Sequence, residues 1–300
     1  FEQFRENLGI VEQRMNSELN NLGILGNYDS ISQDIMVPAF ISAYSGQNAN
    51  DVSLKPFPTI PIPNWRLDFA GLSNLPGLKD WFSSINITHG YRSTFAIGNY
   101  TNSLTYSQNL TLDNQILDYP LGTQVDSITG NLVPVYIINQ ITIAEQFTPL
   151  LGINIRTNNN INARIDFKKD RNLSLNLSNA QVAETTNNDM AIDVGWTKDK
   201  LKLPFKVRGR TITIENDVTF RFNMTIRDAK TIQRKLNGEN IVSNGNRNFQ
   251  LRPSMSYRLN DQLDITAYFD RNITDPKVAS TFKRASTSFG FQLRFSLAQL

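Results

Sequence analysis

The sequence predicts an all-β fold: the wall of a transmembrane antiparallel β-barrel, led by a short N-terminal helical and irregular segment. Three observations predict it. Stretches of strictly alternating apolar and polar residues occur, they recur at the length needed to cross a hydrocarbon layer, and aromatic residues mark their ends. The clearest stretch is residues 288–297, SFGFQLRFSL. Phe289, Phe291, Leu293, Phe295 and Leu297 fall on one side of an extended chain, and Ser288, Gly290, Gln292, Arg294 and Ser296 on the other. In a soluble sandwich the apolar side would face inward. In a membrane barrel it faces lipid, and roughly 9–11 residues of such alternation cross the bilayer.

The same pattern returns upstream. Leu251, Pro253, Met255, Tyr257 and Leu259 alternate with Arg252, Ser254, Ser256, Arg258 and Asn260, and Val218, Phe220, Phe222, Met224 and Ile226 with Thr219, Arg221, Asn223, Thr225 and Arg227. A half-exposed sheet of a soluble protein would simply solvate the polar sets. The length of the runs and their aromatic ends favour the membrane.

Composition is compatible with this reading. No run approaches the roughly 18 apolar residues of a membrane helix, and the mean hydropathy of −0.34 is what alternation produces by averaging. The 300 residues suffice for one large domain or two ordinary ones. The chain opens on Phe1 with no leader pattern behind it, which reads as a mature chain or an internal fragment. Absence of cysteine removes disulfide frameworks and thiolate metal sites. A net charge of +3, spread over strands and turns, falls short of a nucleic-acid-binding profile. The Asn-x-Ser/Thr triplets at Asn86, Asn172, Asn176 and Asn223 sit in predicted strands and read as strand composition.

Along the chain, Phe4, Leu8, Val11, Met15, Leu19 and Leu22 recur at spacings of three and four, which predicts a helix over 1–21. Gly23 and Gly26 end it, and Pro38, Pro56, Pro58, Pro61 and Pro63 predict an irregular connection to Asn64, packed through Phe40, Tyr44, Phe57 and Trp65. Residues 1–63 thus form a leading segment and 64–300 the strands. Trp65, Leu67 and Phe69 open the strand region, and a short helix or turn follows around 78–82. Strands are then predicted at 85–92 and 94–108 (one hairpin or two abutting strands), 135–146, 150–157, 161–168, 172–180, 191–197, 211–227, 247–259, 263–270 and 285–298. A loop covers 110–134, tight turns fall at 158–160 and at Lys169–Asp170–Arg171, and a basic connection covers 198–210. The total is about ten to twelve strands, with short turns on one side and longer loops on the other. If the chain ends on the periplasmic side, Asn260–Asp261 is a periplasmic turn and the loops 228–246 and 271–284 face outward.

Candidate chemistry is sparse. The only histidine, His89, shares the phase of Ile85 and Ile87 and lies opposite Asn86, Thr88, Gly90 and Arg92, on the apolar surface and away from a wet site where hydrolysis could occur. Asp166, Asp170, Asp189 and Asp193 form the nearest thing to a carboxylate cluster. They lack metal-ligand spacing and read as charges paired across strands. Lys198, Lys200, Lys202, Lys206, Arg208 and Arg210 read as a solvated turn or as a contact for acidic headgroups or a partner protein. No phosphate-binding glycine loop or metal motif occurs, and neither a catalytic role nor a cofactor is expected. Phe220, Phe222, Tyr257, Phe289, Phe291, Phe295 and His89 are predicted to face lipid or a partner. Arg221, Arg252, Arg258, Gln292 and Arg294 are predicted to face a water-filled lumen.

Five strings resemble the C-terminal part of the SprA/Sov family, the giant outer-membrane translocon of the type IX secretion system of Bacteroidota. They are AFISAYSG at 39–46, FPTIPIPNW at 57–65, ITHGYRS at 87–93, LPFK at 203–206 and NDVTF at 216–220. The resemblance implies one very large barrel, of up to about 36 strands, of which this chain forms the last third. It also implies passage of folded cargo proteins bearing C-terminal secretion signals, a periplasmic plug protein and a partner barrel at a lateral opening. The rival readings are a self-contained outer-membrane barrel of about twelve strands, acting as a channel or a lipid-active enzyme, and a soluble β-rich binding protein.

Overall fold

The structure is a computed structural model. It describes the chain except residues 22, 24–26, 61–62, 105–124, 126–127, 129, 131, 200, 208–209, 215, 237, 261, 279–280 and 297–300, and the side chains of 201–207, 210–214 and 260. Two helices, α1 (Glu2–Asn21) and α2 (Gln33–Ser45), precede eleven strands among the described residues. These are β1 (Trp65–Phe69), β2 (Phe82–Asn102), β3 (Tyr136–Thr157), β4 (Ile161–Asn176), β5 (Gln181–Lys198), β6 (Leu201–Val207), β7 (Arg210–Ile214), β8 (Val218–Lys235), β9 (Ile241–Asn260), β10 (Leu263–Pro276) and β11 (Arg284–Phe295). Nine form one antiparallel sheet in the order β1-β2-β3-β4-β5-β8-β9-β10-β11. The pair β6–β7 is a separate hairpin. The sheet is open, with β1 and β11 at its edges and no closure between them.

Several strands are longer than periodicity suggests, while the eleven among the described residues fall within the ten to twelve expected. Residues 85–92 and 94–102 are neither a hairpin nor two strands: they belong to the single strand β2, which ends at Asn102, and 105–108 lie outside the described residues. The stretches 135–146 and 150–157 merge into β3 across an irregularity at Thr148–Pro149. Lys169–Asp170–Arg171 lie inside β4, so the turn expected there is absent. The run of three charges resembles turn chemistry, yet Arg171 is held in the ladder opposite Glu145 and Thr186. The expected loop 228–246 is mostly strand, because β8 continues to Lys235 and β9 begins at Ile241.

Connection lengths do not sort by side. One end of the sheet carries 103–135, 177–180, 236–240 and 277–283. The other carries 70–81, 158–160, 261–262 and the long excursion 199–217 with its hairpin. The expected separation of short turns from long loops is therefore not found. Most of the predicted loop 110–134, together with Leu22, Gly26, Pro61, Lys200, Arg208, Leu297 and the side chains of LPFK, lies outside the described residues.

α1 forms as its spacing predicts, burying Phe4, Leu8, Val11, Met15 and Leu19. α2 corrects the expectation of an irregular connection: residues 33–45 are helical with Pro38 inside. An internal proline forfeits a backbone hydrogen bond and costs about 3 kcal/mol. Burial of Ile35, Met36, Val37, Ala39, Phe40 and Ile41, none more than 3% exposed, outweighs it. A helix apolar all round shows no period, which is why its sequence conceals it.

The helices pack on one face of the sheet at one end. Their core is continuous with Ile138, Ile141 and Ile143 of β3, Leu173 and Leu175 of β4, and Val182 of β5. Gln33 clips α2 to β3: its Nε2 donates to the Tyr136 carbonyl, and its Oε1 accepts from the Ile138 amide at 3.0 Å. Between the helices, the side chains of Asn7 and Ser42 meet at 2.7 Å.

Candidate functional site

The feature available for function is the sheet itself, because its two faces differ along nearly the whole length. Cross-strand register fixes which residues share a face. On one face Ile161–Trp196–Phe220–Met255, Ala163–Val194–Phe222–Pro253, Ile165–Ile192–Met224–Leu251 and Phe167–Met190–Ile226–Phe249 form four successive apolar rows across β4, β5, β8 and β9. Strands β10 and β11 extend them with Ile265, Ala267 and Phe269 against Leu293, Phe291 and Phe289. Among the described residues no other element covers this band. Phe289, Phe291, Leu293 and Phe295 are 60–69% exposed.

The band runs obliquely to the strands. At the end carrying the helices it stops at Glu145 on β3, at Lys169, Asn188, Asp228 and Arg247 on β4, β5, β8 and β9, and at Arg271 on β10. Glu145 pairs with Arg171, one row above Lys169, and Arg271 lies two rows below Asp275, the partner of Arg247. This edge therefore descends three rows between β3 and β10. The opposite edge descends with it, from Ile155 to the Ile161–Trp196 row, the Val218–Tyr257 row and finally Leu263–Phe295. Both polar edges are parallel. With ~3.4 Å per residue and ~4.8 Å between strands, they cross the strands at roughly 40° to the perpendicular. A flat apolar slab intersecting strands tilted by about 35–45° leaves that trace.

The opposite face is polar throughout. Arg227 makes a bidentate pair with Asp189 across β8 and β5, at 2.9 and 3.0 Å. Arg252 reaches Asp270 at 2.5 Å, Arg258 reaches Asp264 at 3.3 Å, and Arg164 reaches Asp166 at 2.6 Å. Asn223 donates to Asp193. The four aspartates read from sequence as a cluster are thus strung along β4 and β5, and three are engaged by neighbouring side chains. Arg221 and Arg294 have no hydrogen-bond or ion-pair partner among the described residues, and Arg221 lines both large polar concavities of this face, of about 510 and 640 Å³. Among the described residues no group of three or more His, Cys, Asp and Glu side chains could hold a metal.

The structure places Phe220, Phe222, Tyr257, Phe289, Phe291, Phe295 and His89 on the apolar face, and Arg221, Arg252, Arg258, Gln292 and Arg294 on the polar one. His89 stands among Trp65, Tyr91 and Phe147, with Nδ1 2.6 Å from the Leu150 carbonyl oxygen, to which it donates. Two strings singled out in the sequence meet here: Trp65 packs on Tyr91 at 4.5 Å between centroids, and the Ser93 amide donates to Asn64 Oδ1 at 2.6 Å.

Sequence reasoning missed a cluster that joins the helices to the sheet. Glu145 accepts from Arg171 and from the Tyr91 hydroxyl, while Arg171 lies 5.9 Å from the centre of the Tyr44 ring. Burial pushes the Tyr44 hydroxyl up to about 12, so it stays neutral. Reading 169–171 as a turn hid this cluster. Compared with known proteins, the chain matches no family model and no curated protein.

Proposed function

We propose that this chain is a segment of the wall of an outer-membrane β-barrel that conducts folded proteins, the translocon of the type IX secretion system. The observation that carries the membrane part is the oblique apolar band with parallel polar edges. Seven to eleven residues of each of β4, β5, β8, β9, β10 and β11 lie within it, which at this tilt corresponds to about 18–28 Å of height, near the ~25 Å apolar belt of outer-membrane barrels. A soluble sheet of this size would need a second layer over the band. The helices cover only the strand ends beyond it.

The polar face supports conduction without chemistry. Its carboxylates are largely neutralised by arginines, and its concavities are wide and hydrophilic. Such a lining holds water and offers a passing protein no apolar surface to adhere to. The unpaired edges at β1 and β11 support membership in a larger wall, since a sheet cannot remain open in hydrocarbon with its backbone groups unpaired. The choice of translocon rests on the resemblance of the five strings to the SprA/Sov family. From that resemblance come cargo with C-terminal secretion signals, a periplasmic plug and a partner barrel at a lateral opening.

The deciding experiment is the mass of the intact polypeptide carrying this sequence, extracted from native membranes in mild detergent and then fully denatured. The proposal expects a mass many times the 34.0 kDa of this chain. A mass near 34.0 kDa with no co-purifying segments overturns it in favour of a small closed barrel. Recovery in the aqueous phase without detergent overturns the membrane reading altogether.

A further inference from the structure

The two edges of the apolar band are chemically different, and the difference assigns each to a kind of surroundings. The edge away from the helices is aromatic: Trp196 stacks on Phe220 at 5.5 Å, and Tyr257 and Phe295 lie farther along the same edge. The edge beneath the helices is cationic. Lys169 and Arg247 lie in one row directly above Phe167 and Phe249, and Lys230 is the diagonal neighbour of Arg247. None of the three has a hydrogen-bond or ion-pair partner among the described residues. Arg271 and Lys277 add two more cations, and the facing carboxylates are Asp228, already joined to Lys277, and Asp275. Apart from the Arg171–Glu145 pair, cations therefore outnumber carboxylates five to two along this edge.

Neighbouring cations repel, and the carboxylate beside both Lys230 and Arg247, Asp228, is already engaged by Lys277. The cations that might have been neutralised from above are not. The sheet's own carboxylates under the helices are already engaged, Glu145 by Arg171 and Glu184 by Arg234. The row thus faces outward at the level where apolar side chains end, with the helices overhead and hydrocarbon-compatible surface below.

We propose that this row binds the phosphate groups of anionic lipids, so that the leaflet at the helix-bearing end is the more phosphate-rich one and the helices rest on its headgroups. The inference depends on the membrane reading above and deepens it: acyl chains lie along Phe249, Ile226 and Met190, and the phosphates sit between Lys169, Lys230 and Arg247. Charge complementarity and continuity with the apolar band identify the occupant. A basic fringe immediately outside a hydrophobic span attracts acidic headgroups.

The test uses the full-length protein in vesicles of equal parts phosphatidylcholine and phosphatidylglycerol. A benzoylphenylalanine photo-crosslinker replaces Phe249 in one sample and Phe295 in another, and adducts are identified by mass. At position 249 phosphatidylglycerol adducts should exceed phosphatidylcholine adducts at least about threefold. The ratio should fall to about one in Lys169→Gln/Lys230→Gln/Arg247→Gln, and also in the unsubstituted protein at high salt, which screens exposed charge. At position 295 it should stay near one throughout. Equal adducts at 249, or a preference that survives both the substitutions and salt, overturns the headgroup assignment while leaving the barrel intact. Protein adducts at 249 would assign the row to a partner protein. Absence of lipid adducts at both positions overturns the membrane reading itself. The salt arm stands even if the triple variant fails to assemble.

Discussion

Arg171 and Glu145 face each other across β4 and β3, with Nε 2.6 Å from Oε2, and together they join the helical layer to the sheet. The carboxylate is mostly buried, at 19% side-chain exposure, and also accepts from Tyr91 at 3.2 Å. Arg171→Met removes the one cation bonded to it among the described residues and should cost about 2 kcal/mol, in the range of a lost charged hydrogen bond. Glu145→Gln keeps an acceptor for Tyr91 and should cost less. Hydrogen exchange of the α2 amides, measured in both variants, should show faster opening in the first.

Tyr268 covers Gly290 across β10 and β11. A Cβ on that glycine would stand 2.7 Å from Tyr268 Oη and 2.8 Å from Cζ. Gly290→Val should therefore displace the ring and destabilise the β10–β11 pair by roughly 1–3 kcal/mol. The effect should be strongly non-additive with Tyr268→Ala, which clears the space. A double-mutant cycle on denaturant midpoints measures the coupling, and simple additivity would contradict the ring's position.

Phe291 and Gln292 are adjacent in sequence and opposite in facing. Phe291→Arg places a charge in the interior of the apolar band and should cost roughly 2–4 kcal/mol of assembly stability if the band is in lipid. Gln292→Arg should be nearly silent, because Gln292 joins a face already lined by Arg258 and Arg294. Urea-resistant, heat-modifiable migration of the assembled protein reads both. Equal damage from the two substitutions would contradict the facing.

Asp34 gives the helical layer a pH dependence. Burial pushes its carboxyl up to about 6 from 3.8, only partly opposed by a hydrogen bond with Gln33. Because the folded value is raised, the protonated form favours folding. Its contribution is fully present below about pH 3.8 and is lost as the pH rises through about 6. The loss amounts to at most about 3 kcal/mol. Asp34→Asn should abolish this slope and stabilise the layer at pH 7, as measured by denaturant midpoints between about pH 4 and pH 7.

Much of the two-faced sheet is legible in sequence because a strand's side-chain period of two is local. The phase of Phe220 against Arg221, or Phe291 against Gln292, needs no knowledge of any neighbour. Strand ends are another matter. Lys169–Asp170–Arg171 carry turn chemistry in isolation, and only the ladder partners Glu145 and Asn188 keep them extended. α2 was hidden for the complementary reason. A helix buried on all sides has no polar face to set a period, and Pro38 argues locally for a break that packing overrides.

Alternation, the apolar phase of His89 and the amphipathic α1 were thus determined by the sequence itself, through contacts no longer than a turn of helix or a pleat of strand. Tertiary structure alone decided the register that aligns Lys169, Asn188, Asp228 and Arg247 into one edge, the oblique course of the apolar band, and the seat of the helices at one end of it. Those features depend on residues tens of positions apart being brought side by side. A one-residue change of register would reverse a strand's faces, and a two-residue change would keep the faces but move the band's edge, and nothing within a single strand selects between the alternatives.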